Sequence, residues 1–329
     1  MKKLDRYQQR HGWLGFPIAV QKKFGEDKGG SLAGLIAYYG FFSLFPLLLL
    51  FTAVLGFVLE GNPSAQEKVV NTALKSFPGI GDQLQARTLH GSGVALAVGA
   101  AGTILSGLGV TLAVQDAFNR VYAVPFRYRA NFLKARLRGL GTLAVLGVLQ
   151  IIATVAAALP AGGLGGAVTA IAGITIGLAL NLLLFFVAFR LLTDSSVETR
   201  DLWTGIVCAA VAWVALVAVG GIYVHHVVQG ATSTYGTFAL VIGLLTWLFL
   251  GARVVVYAAE INVVKTRRLW PRSLTDPPID ADRRALALMT RIEQRDSKQE
   301  IEVIFRPPDD KSQPGEDWRH GREVYRSRG

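Results

Sequence analysis

A single cysteine, Cys208, stands among 329 residues, which excludes a disulfide scaffold. Charge is scarce as well: 17% of residues are Asp, Glu, Lys or Arg, against roughly a quarter in an average soluble domain. The 51% hydrophobic content excludes an intrinsically disordered chain, and 36 glycines without a G-X-Y period exclude a collagen-like one. There is no G-x-x-x-x-G-K loop followed by Ser or Thr, no H-E-x-x-H helix, and no cluster of His and Asp with hydrolase spacing. The chain is therefore not expected to be an enzyme or an ATP-driven motor. No catalytic residue, no metal and no cofactor is expected.

The charge that is present leans to one side, with 34 Lys and Arg against 23 Asp and Glu. In a chain with a mean hydropathy of +0.39, that excess suggests an anionic membrane surface rather than nucleic acid. The basic residues are not gathered with aromatics as a nucleic-acid surface would have them, so no nucleic-acid partner is expected.

The spacing of charges carries most of the information. No Asp, Glu, Lys or Arg occurs in Gly29–Leu59 (31 residues), Thr88–Gln115 (28), Gly139–Phe189 (51) or Leu202–Ala252 (51). A bilayer-spanning helix needs about 20 apolar residues. The first two runs hold one span each. The two long runs hold two each, divided by Pro160-Ala161-Gly162-Gly163 and by the polar stretch from Gln229 to Thr234. None of the runs alternates with the period of a strand. The fold expected is an all-α integral membrane protein of six transmembrane helices, at about 31–58, 92–114, 139–159, 165–190, 203–224 and 236–259. Residues 1–10 are strongly polar, so the first span rather than a cleaved leader is expected to direct insertion.

Basic residues orient the spans. Seven lie in the N-terminal tail, six in the loop after span 2 and fifteen from Lys265 onward, whereas the loop after span 1 has only Lys68, Lys75 and Arg87. With six spans every basic-rich segment falls on one face, so both termini are expected in the cytoplasm of a bacterial inner membrane. Three regions follow: a cytoplasmic N-terminal tail (1–30), a six-helix membrane domain (31–264) and a charged, largely disordered cytoplasmic tail (265–329). In the first, Trp13, Leu14, Phe16, Ile18, Val20 and Phe24 interleave with Lys22 and Lys23 and read as an interfacial anchor facing anionic lipid. In the last, Ala285, Leu288, Met289 and Ile292 have the spacing of one short helix. Between spans 1 and 2, Ser64-Ala65-Gln66-Glu67 fits a capping box and predicts a short outer amphipathic helix.

Polar groups inside an apolar layer are the functional candidates, because a charge at mid-bilayer costs about 2.5–3.5 kcal/mol on insertion scales. Arg253 and Glu260 are seven residues apart on span 6, on one face but too far apart to pair directly. Asp116 and Asn119 end span 2 at a similar depth. The expected cluster is Asp116, Asn119, Arg253, Glu260 and Asn262 near the cytoplasmic mouth, with Asp116 facing Arg253. The alternative is that Arg253 snorkels to the headgroups and Glu260 lies at the interface. Pro46, with Ser43 one turn before it, predicts a hinge, a notch or a packing kink in span 1 that Tyr38 and Tyr39 would line. Gly102-x-x-x-Ser106, Gly109-x-x-x-Ala113, Gly162-x-x-x-Gly166 and Gly173-x-x-x-Gly177 predict close helix packing within the bundle or in a homo-oligomer. The adjacent His225 and His226 diverge on a helix and make a poor metal site.

Three stretches carry a resemblance: Ala37-Tyr38-Tyr39-Gly40-Phe41-Phe42-Ser43-Leu44-Phe45-Pro46, Ala117-Phe118-Asn119-Arg120-Val121-Tyr122, and Tyr235-Gly236-Thr237-Phe238 with Ala259-Glu260-Ile261-Asn262. With six spans and two cytoplasmic ends, the chain over about 10–265 resembles the YihY/BrkB family of bacterial inner-membrane proteins. Arg253 departs from the family pattern, which has a small or apolar residue there. The resemblance implies location and fold. It also brings a historical label, ribonuclease BN, and the usual idea of transport across the envelope. Three roles follow as expectations: a secondary transporter or exporter of an unknown solute, with Pro46 and the Arg253 cluster bordering a cavity; a non-transporting scaffold with a closed bundle; and, least favoured, a membrane-attached nuclease.

Overall fold

The computed structural model describes residues 2–58, 93–158, 166–223, 237–275 and 278–303, apart from 297, 300 and 302. Among the described residues there are nine α-helices and no strand: α1 (Lys2–Arg10), α2 (Gly12–Glu26), α3 (Gly29–Val58), α4 (Gly93–Val121), α5 (Phe132–Ala158), α6 (Gly166–Leu192), α7 (Thr199–Tyr223), α8 (Thr237–Thr266) and α9 (Asp280–Arg291). The outer amphipathic helix expected between spans 1 and 2, the two expected turns at 160–163 and 229–234, His225 and His226, and the chain from 304 onward lie outside the described residues.

Helices α3 to α8 are the six apolar runs. Each packs against its neighbour in the chain, and α8 closes back on α3, so the six form a ring. Four stretches are long and apolar enough to cross a membrane among the described residues: Gly29–Leu50, Gly93–Val121, Thr199–Val217 and Val241–Thr266, with Gly177–Leu192 a shorter apolar helix. Large apolar side chains such as Val94, Val98, Phe45, Val211, Phe238 and Ile242 point outward, half exposed or more. Such a surface suits hydrocarbon and would be a liability in water. The chain is an all-α membrane protein.

The most extensive contact in the ring is between α3 and α4, and small residues make it. A side chain added at Gly102 would meet Pro46 Cβ at 2.7 Å, and one at Gly109 would meet Tyr39 Cδ1 at 2.6 Å. At Gly99 it would meet the backbone itself, Leu50 N at 2.7 Å. The stripe predicted as a packing surface is one, and α3 runs as a helix through Pro46.

The buried core lies at one end of the ring. Phe118 and Val121 of α4, Phe189 of α6, Leu202 and Ile206 of α7, and Val256 and Val264 of α8 are almost wholly buried there, and α5 contributes no residue to this cluster. The same end carries a polar collar made from both ends of the described chain. Gln8 Nε2 of α1 donates to Arg272 O at 2.6 Å. Asp5 accepts from Leu274 N (2.9 Å), Thr275 Oγ1 (2.9 Å), Gln8 Nε2 (3.0 Å) and Ser273 Oγ (3.2 Å). Asp282 accepts from Arg272 Nε (2.6 Å), Lys22 Nζ (2.8 Å) and Ser273 N (2.9 Å), and reaches back to Ile279 N (3.2 Å) at the start of α9. The loop between α4 and α5 joins the collar through Phe126 N to Ile292 O and Arg127 N to Gln294 O, both 3.1 Å. The first and last described segments therefore lie at the same end of the bundle.

Two expectations change here. The region after span 6 is not an unstructured tail as far as Gln294: Arg272 (2% exposed), Ser273, Asp282 and Ala285 are buried against α1 and α2. The reason is pairwise charge complementarity between segments more than 240 residues apart, such as Arg272 with Glu26 at 2.7 Å. Composition alone does not reveal it. The short helix expected around Ala285 and Leu288 is α9. Nor do Lys22 and Lys23 face lipid: Lys22 pairs with Asp282, and Lys23 is 3% exposed. Trp13 keeps the exposed position of an anchor, at 70%.

Gly99→Ala is expected to force α3 from α4 and to lower stability by about 1–3 kcal/mol. Gly147→Ala, where an added Cβ meets nothing within 4 Å, is expected to raise it by up to about 1 kcal/mol through helix propensity. Thermal unfolding in detergent checks both. The collar should also be sensitive to acid. Burial alone would raise the Asp5 carboxyl, but the Leu274 N–H, Gln8 and Thr275 more than offset it and hold it well below the usual carboxylate range. Asp282 is likewise lowered: burial acts against the shift, while Lys22, Arg272 and the Ser273 N–H carry it. Carboxyls depressed in the folded state contribute stability above their unfolded value, about 3.9, and lose it as pH falls through the folded one. Hydrogen-exchange protection in 2–10, 267–275 and 278–291, taken relative to the intrinsic rate at each pH, should thus be high at neutral pH and fall selectively only below about pH 4.

Candidate functional site

Two features of the bundle are candidates, a polar cluster at the collar end and a cavity higher in the ring. The cluster centres on Lys23 of α2. Its ammonium donates to the Asp27 carboxylate one turn on and to Val121 O, the last residue of α4, at 3.1 Å. It lies 3.1 Å from Glu260 Oε2 on α8. Asp27 is 2% exposed and Glu260 0%. Burial alone would lower the Lys23 ammonium, but Glu260 and Asp27 hold it above its ordinary value, so it stays charged. Its N–H groups are directed to Asp27 and Val121, and its contact with Glu260 is the ion pair.

Two residues along α8, Asn262 is fully buried as well. Its Oδ1 accepts from the Gly205 N–H of α7, and its Nδ2 donates to the Tyr122 hydroxyl at 2.9 Å. Gly205 has to be glycine for this contact, since an added Cβ would run into Ala258 O and the Asn262 amide. Asn262 thus ties α7 and α8 to the end of α4.

The expected cluster forms only in part. Glu260 and Asn262 are its buried heart, and Asn119 is half-buried nearby in sequence, its carbonyl accepting Val124 N at 2.8 Å. Asp116 does not face Arg253. It pairs with Arg129 Nη1 at 3.1 Å and is 57% exposed in its side chain, a position where a pair is worth about 0–1 kcal/mol. Arg253 sits among three aromatic rings, 5.6 Å from the centroids of Phe24 and Tyr257 and 5.7 Å from Phe249. It also donates to the Tyr257 hydroxyl at 3.3 Å, which in turn donates to Gln21 Oε1 at 2.6 Å. Aromatic faces thus take the role expected of a carboxylate. Lys23 and Asp27 were missing from the expected site because a lysine in a short basic stretch reads as a solvated or lipid-facing group. The available signal was Glu260 itself, a buried acid that required a cation from somewhere.

The cavity has a volume of about 800 Å³ and takes its walls from α3 to α7. Ser43, Asn181 and Trp213 border it at about 16–21 Å along their helices from the collar end, near the middle of each helix. Its wall is mainly Leu, Ile, Val, Ala and Phe, broken by Ser43, Thr103, Gln150 and Asn181 on four different helices. Toward the collar, the Phe118–Phe189 pair at 4.8 Å and the fully buried Leu202 and Ile206 lie where the core is densest. Of the notch residues expected on span 1, Ser43 borders the cavity. Tyr39 and Pro46 cover Gly109 and Gly102 instead, and Tyr38 is 54% exposed beside Phe42. Neither Pro46 nor Arg253 borders the cavity, contrary to expectation, because the ring places both at other packing surfaces. Gln150 and Asn181 were legible as lone amides inside apolar runs.

Removing the buried cation should be costly. Lys23→Met leaves two enclosed carboxylates without a counter-charge and is expected to destabilise by about 3–5 kcal/mol, whereas Lys23→Met with Glu260→Gln should lose less. Asp116→Asn should change stability by less than about 1 kcal/mol. Unfolding curves of the purified variants in detergent measure all three.

Residues 20–281 match the protein family described as Virulence factor BrkB. No curated protein and no solved structure matches the chain. The matched stretch takes in the second half of α2 with Lys23, the six long helices and the Arg272–Ser273 segment, and so both candidate sites. With most of its length covered, and with a ring of apolar helices closed by a charged collar, the chain is a member of the BrkB family of membrane proteins.

Proposed function

We propose that this protein crosses a bacterial inner membrane six times, with the collar and both termini in the cytoplasm, and acts as a secondary transporter or exporter. The observation that carries the reading is the mid-depth cavity bounded by five of the six helices of the ring. Three facts support the orientation. The collar unites segments from both ends of the chain, it holds most of the basic residues, and exposed side chains such as Arg10, Lys134 and Arg200 are suited to anionic headgroups. The anionic inner leaflet is the proposed partner of these groups. No nucleic acid, cofactor or reaction chemistry enters the proposal.

Transport requires the cavity to open to each side in turn. The conformation described is tightest toward the collar, where α2 lies under the ring and Lys23 fastens it to α4 and α8. Opening on that side requires those contacts to part, and the small-residue seam between α3 and α4 is the natural sliding surface.

The test is thiol accessibility in a Cys208→Ala background. Ser43→Cys and Ala144→Cys, both on the cavity wall, are expected to react with a membrane-impermeant maleimide from either face, in intact spheroplasts and in inverted vesicles. Arg10→Cys is expected to react only in inverted vesicles. Cavity positions closed to the reagent from both faces would favour a static scaffold, and Arg10→Cys labelling from outside would overturn the topology.

A further inference from the structure

The chemistry of the cavity wall restricts what it can hold. Among the described residues, none that lines it is an acid or a base. A charged solute at this depth would have no counter-ion within the wall, and an unpaired charge in the hydrocarbon layer is strongly disfavoured. Of the ionised groups nearest the wall in sequence, Arg138 lies 3.9 Å from Asp194 and Arg190 is exposed on the outside of α6. The broad wall of Leu47, Ile104, Leu140, Leu143, Leu184 and Phe185 fits an apolar body.

The polar groups on the wall say what the other part of the ligand is. Ser43 donates its hydroxyl to Gly40 O at 2.7 Å, and Asn181 donates its amide to Gly177 O at 3.0 Å. The Ser43 hydroxyl proton and one of the two Asn181 amide protons are thereby engaged by the helix backbone, and the Ser43 and Asn181 oxygens remain as acceptors. The Thr103 hydroxyl, also at the wall, is buried without a partner among the described residues. Buried polar atoms of this kind are ordinarily satisfied, and a donor brought in by a ligand would do so. We infer that the cavity binds an uncharged amphipath, with an apolar chain or ring against the leucine-rich wall and a hydroxyl or amide donor directed to Ser43, Thr103 and Asn181. The inference rests on the cavity being the solute site proposed above, but it concerns binding and is read without transport.

Trp213 lines the cavity and is a built-in reporter, and Gly147 lines it at a point where an added Cβ meets nothing within 4 Å. The full-length protein in lipid nanodiscs is titrated with a dibrominated octadecanol, whose bromines quench tryptophan at contact. The same chain is also presented with a carboxylate head, with a trimethylammonium head and with no head group. Saturable quenching by the alcohol is expected, absent in Trp213→Phe and abolished by Gly147→Phe, which fills the cavity. Ala144→Phe repeats the blockade from a second position, and an unchanged thermal midpoint shows that either variant is folded. The two charged analogues should bind at least about tenfold more weakly than the alcohol. Asn181→Leu should weaken the alcohol toward the affinity of the headless chain. Quenching that never saturates, that survives both filling variants, or that is as strong with a charged head overturns the inference. Saturable binding in a protein whose cavity labels from neither face would leave the inference standing and remove the transport reading. Labelling from both faces without binding would do the reverse.

Discussion

One buried ammonium holds together the end of the bundle on which everything else is hung. Lys23 reaches Asp27 on its own helix, the terminal carbonyl of α4 at Val121, and Glu260 on α8. None of these groups has water to fall back on, so each depends on the others being in place. A buried ion pair of this kind gives little net stability compared with apolar packing. Losing one member is expensive, however, and the pair therefore specifies position. Its effect is to place α2, a helix outside the apolar ring, against two of the ring's helices. The aromatic stack of Phe24 on Tyr257, centroids 4.0 Å apart, and the Arg253 guanidinium beside it continue the same contact.

From that anchor the molecule divides into two halves with different physics. At the collar end the interior is packed and polar groups are matched one to one. Asp5 and Asp282 are each surrounded by donors, and the first and last described segments become one layer. Farther along the ring the buried core ends, apolar side chains turn outward, and α5 to α7 stand apart enough to leave the cavity. A bundle dense at one end and hollow in the middle is one in which a small movement at the dense end changes access to the hollow. The α3–α4 seam, where Gly99, Gly102 and Gly109 let the backbones approach closely, is smooth enough for such a movement.

Much of this was legible in the chain. The charge-free runs located all six long helices, because hydrocarbon tolerates neither unpaired charge nor unpaired backbone and both constraints act locally on sequence, but α4, α5 and α8 run seven residues farther at their collar ends, where charged residues continue the helix. The glycine stripe on span 2 correctly announced a packing face. Glu260 and Asn262 were recognisable as polar groups needing partners, and Ser43 as a polar group beside a proline. The partners themselves were not legible. Asp116 and Arg253 have opposite charge and similar depth, yet the ring turns them toward different neighbours, Arg129 and a set of aromatic rings.

What the sequence determined alone is therefore the character of each segment: which stretches are long apolar helices, and which segments between them are rich in basic residues. Those properties follow from solvation of individual residues, which sum along the chain. Only the tertiary structure decided that Lys23 is an interior residue, that the region from Arg272 to Arg291 folds back on α1 and α2, and that Ser43, Asn181 and Trp213 share a cavity. These depend on which helix face meets which other across gaps of up to 270 residues, a matter of rotation and register on which composition and periodicity are silent.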